Sequence, residues 1–435
     1  MSRPGATRSA VAALAAALVL AASATAAAQP AGRKPPPPSG PVTALVGATV
    51  HTGTGEVITD AVIVVANGEI RAVGKGLAPP AGAQVVSLAG AVVTPGLVDA
   101  TTSVGLVEVD LEKTTRDDRE GTQDRIRAAF RAADGFNPAS TVVAVTRSEG
   151  VTSVGVVPTG GLVSGQSAWA DLGDAASGDL LAKAPLALHV HVENDSDATG
   201  GGGHGTALLR IREAFDDART FARTKGAWER NQSRPFAPSR LDLEALAAAL
   251  DGKLPVVFHV DRAVDIERAL AVAKEFSLRA VVAGGAEAWR VAGALAAAKV
   301  PVVLYPLAAD PSSFDRIGAR DDTPARLVAA GVTVALSTGE THNARKLRQV
   351  AGNAVRGGMP YEQAIVAITR SPAVALGTDA RYGTVAAGKV ANLVVWSGDP
   401  LELSTDVKMV FVRGRRVSLE SRQTALRNKY RKVPR

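Results

Sequence analysis

The chain of 435 residues contains no cysteine. That excludes a disulfide scaffold, a thiolate zinc site, an iron–sulfur cluster, a cysteine nucleophile and a lipidated cysteine. Aromatic residues make up only 4% of the chain, which argues against a platform for stacking bases and so against a nucleic-acid partner. After the first thirty residues no stretch stays apolar for the roughly 18 residues that a membrane helix needs, so no transmembrane segment is expected. What is present is an ordinary globular balance, 46% hydrophobic and 21% charged. A chain of this length buries a substantial core without covalent staples.

The first residues read as a secretory leader. Arg3 and Arg8 precede an alanine, valine and leucine run over 10–22, and Ala26-Ala27-Ala28 offers small residues for cleavage before Gln29. The expected mature protein is exported, to a bacterial periplasm. Loss of Arg3 and Arg8 lowers the formal charge from +7 to +5. Arg422, Arg427, Lys429, Arg431, Lys432 and Arg435 crowd the C-terminus. We read them as a solvated basic tail rather than a polyanion site.

Residues 29–41 hold Pro35-Pro36-Pro37-Pro38, an extended spacer. Short β-type runs follow at 44–50, 61–66, 69–73 and 84–88, with Asn67-Gly68 as a hairpin signal. The middle alternates strand runs at 97–104, 151–157, 186–192, 255–260, 279–283, 300–304 and 332–336 with helical periodicity, clearest over 263–276 and 286–298. Strands return at 384–385, 392–395, 407–412 and 415–417. This order predicts an α/β fold: a (β/α)8 TIM-like barrel plus a small composite β-sandwich drawn from both chain ends. The expected division is a leader 1–28, a linker 29–41, sandwich parts 42–93 and 382–418, a barrel 94–381 and a tail 419–435. The glycine run 200–205 lacks the strand that a phosphate cradle requires, and reads as a loop.

Val93-Thr94-Pro95-Gly96-Leu97-Val98-Asp99 and the stretch from Gly383-Thr384-Val385 to Val394-Val395-Trp396 resemble the amidohydrolase superfamily, in particular its exported, imidazolonepropionase-like members. Asp134-Gly135-Phe136-Asn137-Pro138, Glu149-Gly150-Val151-Thr152 and Gly161-Leu162-Val163-Ser164-Gly165-Gln166 add to the resemblance, which spans about 42–417. It implies the barrel-plus-sandwich fold. It also implies hydrolysis of amide-type C–N bonds with one or two divalent metals that activate water.

The ligand positions that the resemblance implies are largely replaced. The family's first-strand histidines fall at Thr101 and Ser103, a later histidine at Gly284, and the aspartate that serves as ligand and base at Gly339. The mid-barrel ligand falls at Asp171 or Glu193, and one histidine is kept as His259. Hydroxyls are poor zinc ligands and glycine offers none. No cofactor is therefore expected, with a single zinc ion as the alternative, held at a relocated site of His191, Glu193 and His259. The competing reading packs His189, His191 and His259 as polar interior residues. Gln166 and His342 are candidate substrate contacts; turn and helix-cap roles compete with both. His51 and His204 read as exposed, and 108–120 as a solvated loop. Ser103 lacks the flanking glycines of a serine nucleophile.

Two function classes follow. One is an exported hydrolase of non-peptide or small-peptide C–N bonds with an eroded metal site and weak or no activity. The other is a non-catalytic relative that binds a small molecule or an active amidohydrolase paralogue.

Overall fold

The computed structural model describes residues 40–119, 124–175, 179–192, 202–306 and 310–431. The expected leader, most of the linker, Glu193, Glu120 and residues 432–435 lie outside them. Every element below belongs to the unit Gly40–Arg435.

Five strands open the fold: β1 (Val42–His51), β2 (Val57–Ala66), β3 (Glu69–Lys75), β4 (Gln84–Ser87) and β5 (Val92–Pro95). Asn67 and Gly68 join β2 to β3 with φ of 54° and 79°, the left-handed pair that a tight hairpin of this twist requires. Ten strands follow: β6 (Leu97–Thr102), β7 (Val151–Val156), β8 (Val163–Gln166), β9 (Ala168–Asp171), β10 (Leu181–Lys183), β11 (Leu188–His191), β12 (Val256–Val260), β13 (Ala280–Gly284), β14 (Val302–Leu304) and β15 (Val334–Leu336). The last three are β16 (Leu393–Trp396), β17 (Val407–Val412) and β18 (Arg415–Val417).

Both chain ends share one eight-stranded sheet, ordered β18-β17-β16-β5-β1-β2-β3 with β4 beside β1. Its seam is the antiparallel pair of β5 and β16, with Val93 opposite Val395. Trp396 fixes this register by donating from its indole to Thr94 Oγ1 at 2.9 Å.

The middle strands form two further sheets, β10-β9-β7-β6 and β15-β14-β13-β12-β11-β8. β11 to β15 run parallel in sequence order, as alternating strand and helix dictates. β8 and β9 are one stretch broken at Ser167, whose N–H donates to Ala187 O at 2.9 Å, so one segment serves both sheets. Alternation sorts the side chains. Val257 joins Val98, Trp169, Ala187, Val281 and Val303 in one interior cluster. Val256, Phe258 and Val260 face outward with Ile266 and Ala269 of the helix Ala263–Glu275.

All seven strand runs expected between 97 and 336 form strands. The stretch 163–171 also forms strands, which the sequence did not signal, because Gly165, Gln166 and Ser167 interrupt its apolar pattern. Residues 384–385 form no strand; Val385 N–H donates to Thr52 O instead. His204, expected to be exposed, is buried at the start of the helix His204–Glu229, 3.0 Å from Asp315. His51 is mostly covered beside Glu362, also at 3.0 Å. Asp118 interrupts the expected solvated loop: it is buried, with Arg116 Nη2 at 2.8 Å. In each case a charged partner compensates the burial that sequence polarity argues against. Among the described residues no helix is long and apolar enough to cross a membrane.

Candidate functional site

Parallel strands bring their C-terminal ends to one side, where strand–helix enzymes place chemistry. Thr101 lies near the end of β6. Its Oγ1 donates to the Tyr305 hydroxyl, just beyond β14, at 3.0 Å. It also lies 2.9 Å from Ser337 Oγ, just beyond β15. Ser337 in turn donates to Asp99 Oδ1. Thr338 closes the other side of that carboxylate, with Oγ1 donating to Oδ2 and its N–H at 3.3 Å from Oδ1. Asp99, Thr101 and Ser337 are buried, whereas Tyr305 is partly exposed. Burial pushes the Asp99 carboxyl up to about 6, against the pull of its bonds from Ser337 and Thr338.

The glycines at the two remaining family positions are covered by other side chains. Gly339 has a φ of +68°, and a β-carbon there would stand 3.0 Å from the Tyr305 ring. At Gly284, the last residue of β13, a β-carbon would stand 2.9 Å from an Asp261 carboxylate oxygen. Asp261 is held there by the N–H of Ala286 at 2.9 Å and by Arg316 at 3.4 Å. Ser103 forms a turn, its carbonyl accepting from the N–H groups of Leu106 and Val107.

The histidines form a separate cluster. His191 and His259 sit opposite each other on β11 and β12, and their rings stack at 4.3 Å with planes 11° apart. His189 Nδ1 lies 2.9 Å from His259 Nε2, and His191 Nε2 lies 3.2 Å from Ser164 Oγ. Burial, reinforced by the neighbouring imidazoles, pushes His259 well below the usual range. Burial and then His191 bring His189 down to about 3. Both rings are therefore neutral near pH 7. His189 Nε2 is buried, with no hydrogen-bond partner among the described residues.

These residues do not fit a divalent metal. An imidazole lone pair lies in its ring plane, and two nearly parallel planes do not meet at one ion. His259 Nε2 is engaged by His189. Asp171 is closed. It accepts from Ser153 Oγ at 2.8 Å, Asn392 Nδ2 at 2.9 Å, Tyr382 OH at 3.0 Å and Arg413 Nε at 2.6 Å. It ties β9 to the strands of the C-terminal end. Among the described residues no three carboxylates or histidines are grouped to hold an ion.

Gln166 is engaged locally: its Nε2 donates to Ala128 O at 2.8 Å. His342 is on the surface, 3.6 Å from Asp110. The cap position of the short helical turn Ala344–Lys346 falls to Asn343 instead. In the sequence Asp99 stands only at the end of a motif, and neither Ser337 nor Tyr305 is singled out. The available signal was a polar residue directly after each of two apolar strand runs.

The amidohydrolase family model matches residues 296–417. The chain is similar to an amidohydrolase, tasK, of Hapsidospora irregularis, 24% identical over 374 residues that cover 77% of this chain and 37% of that protein. A dihydroorotase of Geobacter sulfurreducens is 38% identical over 130 residues, 26% of this chain and 28% of its own. The chain thus spans about a third of the length of these curated relatives. Among solved structures, an amidohydrolase from Thermotoga maritima MSB8 superposes with a TM-score of 0.79 at 28% identity, covering 86% of this chain and 99% of that one. In sequence over 296–417, and in α/β fold over most of its length, the chain thus resembles amidohydrolase-family hydrolases.

Proposed function

We propose that the chain is an exported amidohydrolase-type protein whose barrel mouth has been rebuilt around hydroxyls, leaving metal-assisted hydrolysis of small C–N substrates weak or lost. In this reading the middle strands close into a (β/α)8 barrel, and the shared sheet is the composite β-domain. One observation carries it: the Tyr305 ring covers Gly339, the position that the resemblance gives to the metal-binding base. A general base must reach its water within hydrogen-bond distance, and that location holds a ring and a hydroxyl. Thr101 faces the same hydroxyl where the resemblance gives a ligand histidine. The role that remains is to hold a small molecule at the mouth, or to pair with an active amidohydrolase paralogue.

The test is turnover by the purified protein of acylated amino acids, dipeptides and cyclic amides, with and without added zinc or manganese. The expected result is none above background. Metal-dependent turnover that His259→Ala abolishes, with circular dichroism unchanged, overturns the proposal. It would favour the relocated site of His191, Glu193 and His259.

A further inference from the structure

Four side chains from three strand ends form a continuous line of oxygen atoms. Asp99 contacts Ser337, Ser337 Oγ lies 2.9 Å from Thr101 Oγ1, and Thr101 Oγ1 lies 3.0 Å from Tyr305 OH. Each hydroxyl has a single proton to donate. In this structure Ser337 donates to Asp99 and Thr101 donates to Tyr305, the arrangement that suits an ionised Asp99. If Asp99 is protonated, it donates to Ser337, Ser337 turns to donate to Thr101, and all three bonds point toward Tyr305. The state of one carboxyl therefore sets the donor direction of Ser337 and with it whether the line is continuous.

We propose that Asp99, Ser337, Thr101 and Tyr305 form a proton relay that makes the Tyr305 hydroxyl the acid–base group of the barrel mouth. The inference rests on the reading of a mouth rebuilt without metal ligands, since the relay occupies those positions. The step balances without a further reactant. Asp99 gives its proton to Ser337, Ser337 to Thr101 and Thr101 to Tyr305, while Tyr305 releases its own to water or to a basic atom of a bound small molecule. In the reverse direction Tyr305 takes up a proton and Asp99 gains one.

Two features suit the line to this task. Its inner members are buried, so water does not short-circuit the bonds. Its outer end borders a cavity of about 30 Å3 shared with Gly284, Arg316 and Arg320, room for about one water molecule. The inner end balances a buried carboxyl between its two states, with burial opposing its hydrogen bonds. The groups bonded to Asp99 are hydroxyls and backbone N–H groups, with no cation among them. Arg316 and Arg320 line the same cavity as Tyr305. Asp261 pairs with the first and Asp322 with the second.

The chain has four tyrosines, so carbon-13 placed at tyrosine Cζ yields four resonances, and Tyr305→Phe identifies the relevant one. We expect the Tyr305 signal to step with a midpoint near 6, far below the titration of a tyrosine itself. Asp99→Asn should abolish the step, and so should Thr101→Val. Thr101→Ser, which keeps the hydroxyl, should restore it. Ser337→Ala repeats the cut at a second link and stands in if Thr101→Val does not fold. A Tyr305 signal flat between pH 4.5 and 8 overturns the relay. A step that survives Asp99→Asn, or that persists in both Thr101→Val and Ser337→Ala, overturns it too. Because the readout needs no substrate, failure here is distinct from finding metal-dependent hydrolysis.

Discussion

The Tyr305 ring packs against Gly339, 3.0 Å from where a β-carbon would stand. Restoring the family aspartate by Gly339→Asp meets that ring and a φ of +68°. A left-handed backbone alone costs a residue with a β-carbon about 1–2 kcal/mol. We expect Gly339→Asp to lower the urea midpoint and to bind no zinc. Adding Tyr305→Ala should recover the steric part of the loss. An equally stable, zinc-loaded single variant would show that the ring is not what closes the position.

Asp171 anchors a junction of four donors. Removing one partner of a buried pair costs about 3–5 kcal/mol, because the others are left uncompensated. Asp171→Ala should lose on that order in urea unfolding. Asp171→Asn, which keeps one acceptor oxygen, should lose less. Equal losses would mean that the charge pairing with Arg413, removed in both variants, carries the junction.

Stability should also depend on the charge of Asp99. Its carboxyl is raised from 3.8 to about 6 in the folded protein. The native state thus holds a proton that the unfolded chain has already released. That contribution is complete below about 4 and is lost as pH rises through 6, about 3 kcal/mol in all. His189, lowered to about 3, acts in the opposite sense: its contribution is present above 6.5 and is lost as pH falls. Asp99→Asn removes only the first effect. The stability difference between wild type and this variant should therefore shrink from pH 4 to pH 7. A constant difference would place the Asp99 pKa near its unfolded value.

Gly155 in β7 lies against Ala100 of β6, and a β-carbon at Gly155 would stand 2.0 Å from the Ala100 carbonyl oxygen. Neither strand can move without breaking a sheet. Overpacking of this kind costs about 1–3 kcal/mol or more. Gly155→Ala should express largely insoluble, and wild-type solubility would show that the two strands separate readily.

The fold was legible because apolar runs such as 255–260 and helical repeats such as 263–276 are local signals. The stretch 163–171 was missed because its strand character comes from pairing, with β11 on one half and β7 on the other. The site was legible in part. The replaced positions Thr101, Gly284 and Gly339 stood out against the resemblance, but what covers them did not. Tyr305, Ser337 and Asp99 come from three strand ends far apart in sequence, and no spacing rule relates them. His204 was misjudged for the same reason, since Asp315 lies 111 positions away, whereas Asp118 was misjudged although Arg116 stands two residues away, because nothing local signals its burial.

The seam between β5 and β16 joins residues as far apart as Thr94 and Trp396, 302 positions along the chain. A chain made from its N-terminus therefore exposes one side of β5 until almost everything else has been synthesised. Contacts this distant form slowly, because the enclosed loop must first give up its freedom. Meanwhile an unpaired edge of Val92, Val93 and Thr94 invites other strands to add to it. Truncation before residue 393 would make that state permanent, so fragments lacking the C-terminal strands are the ones to expect in aggregates.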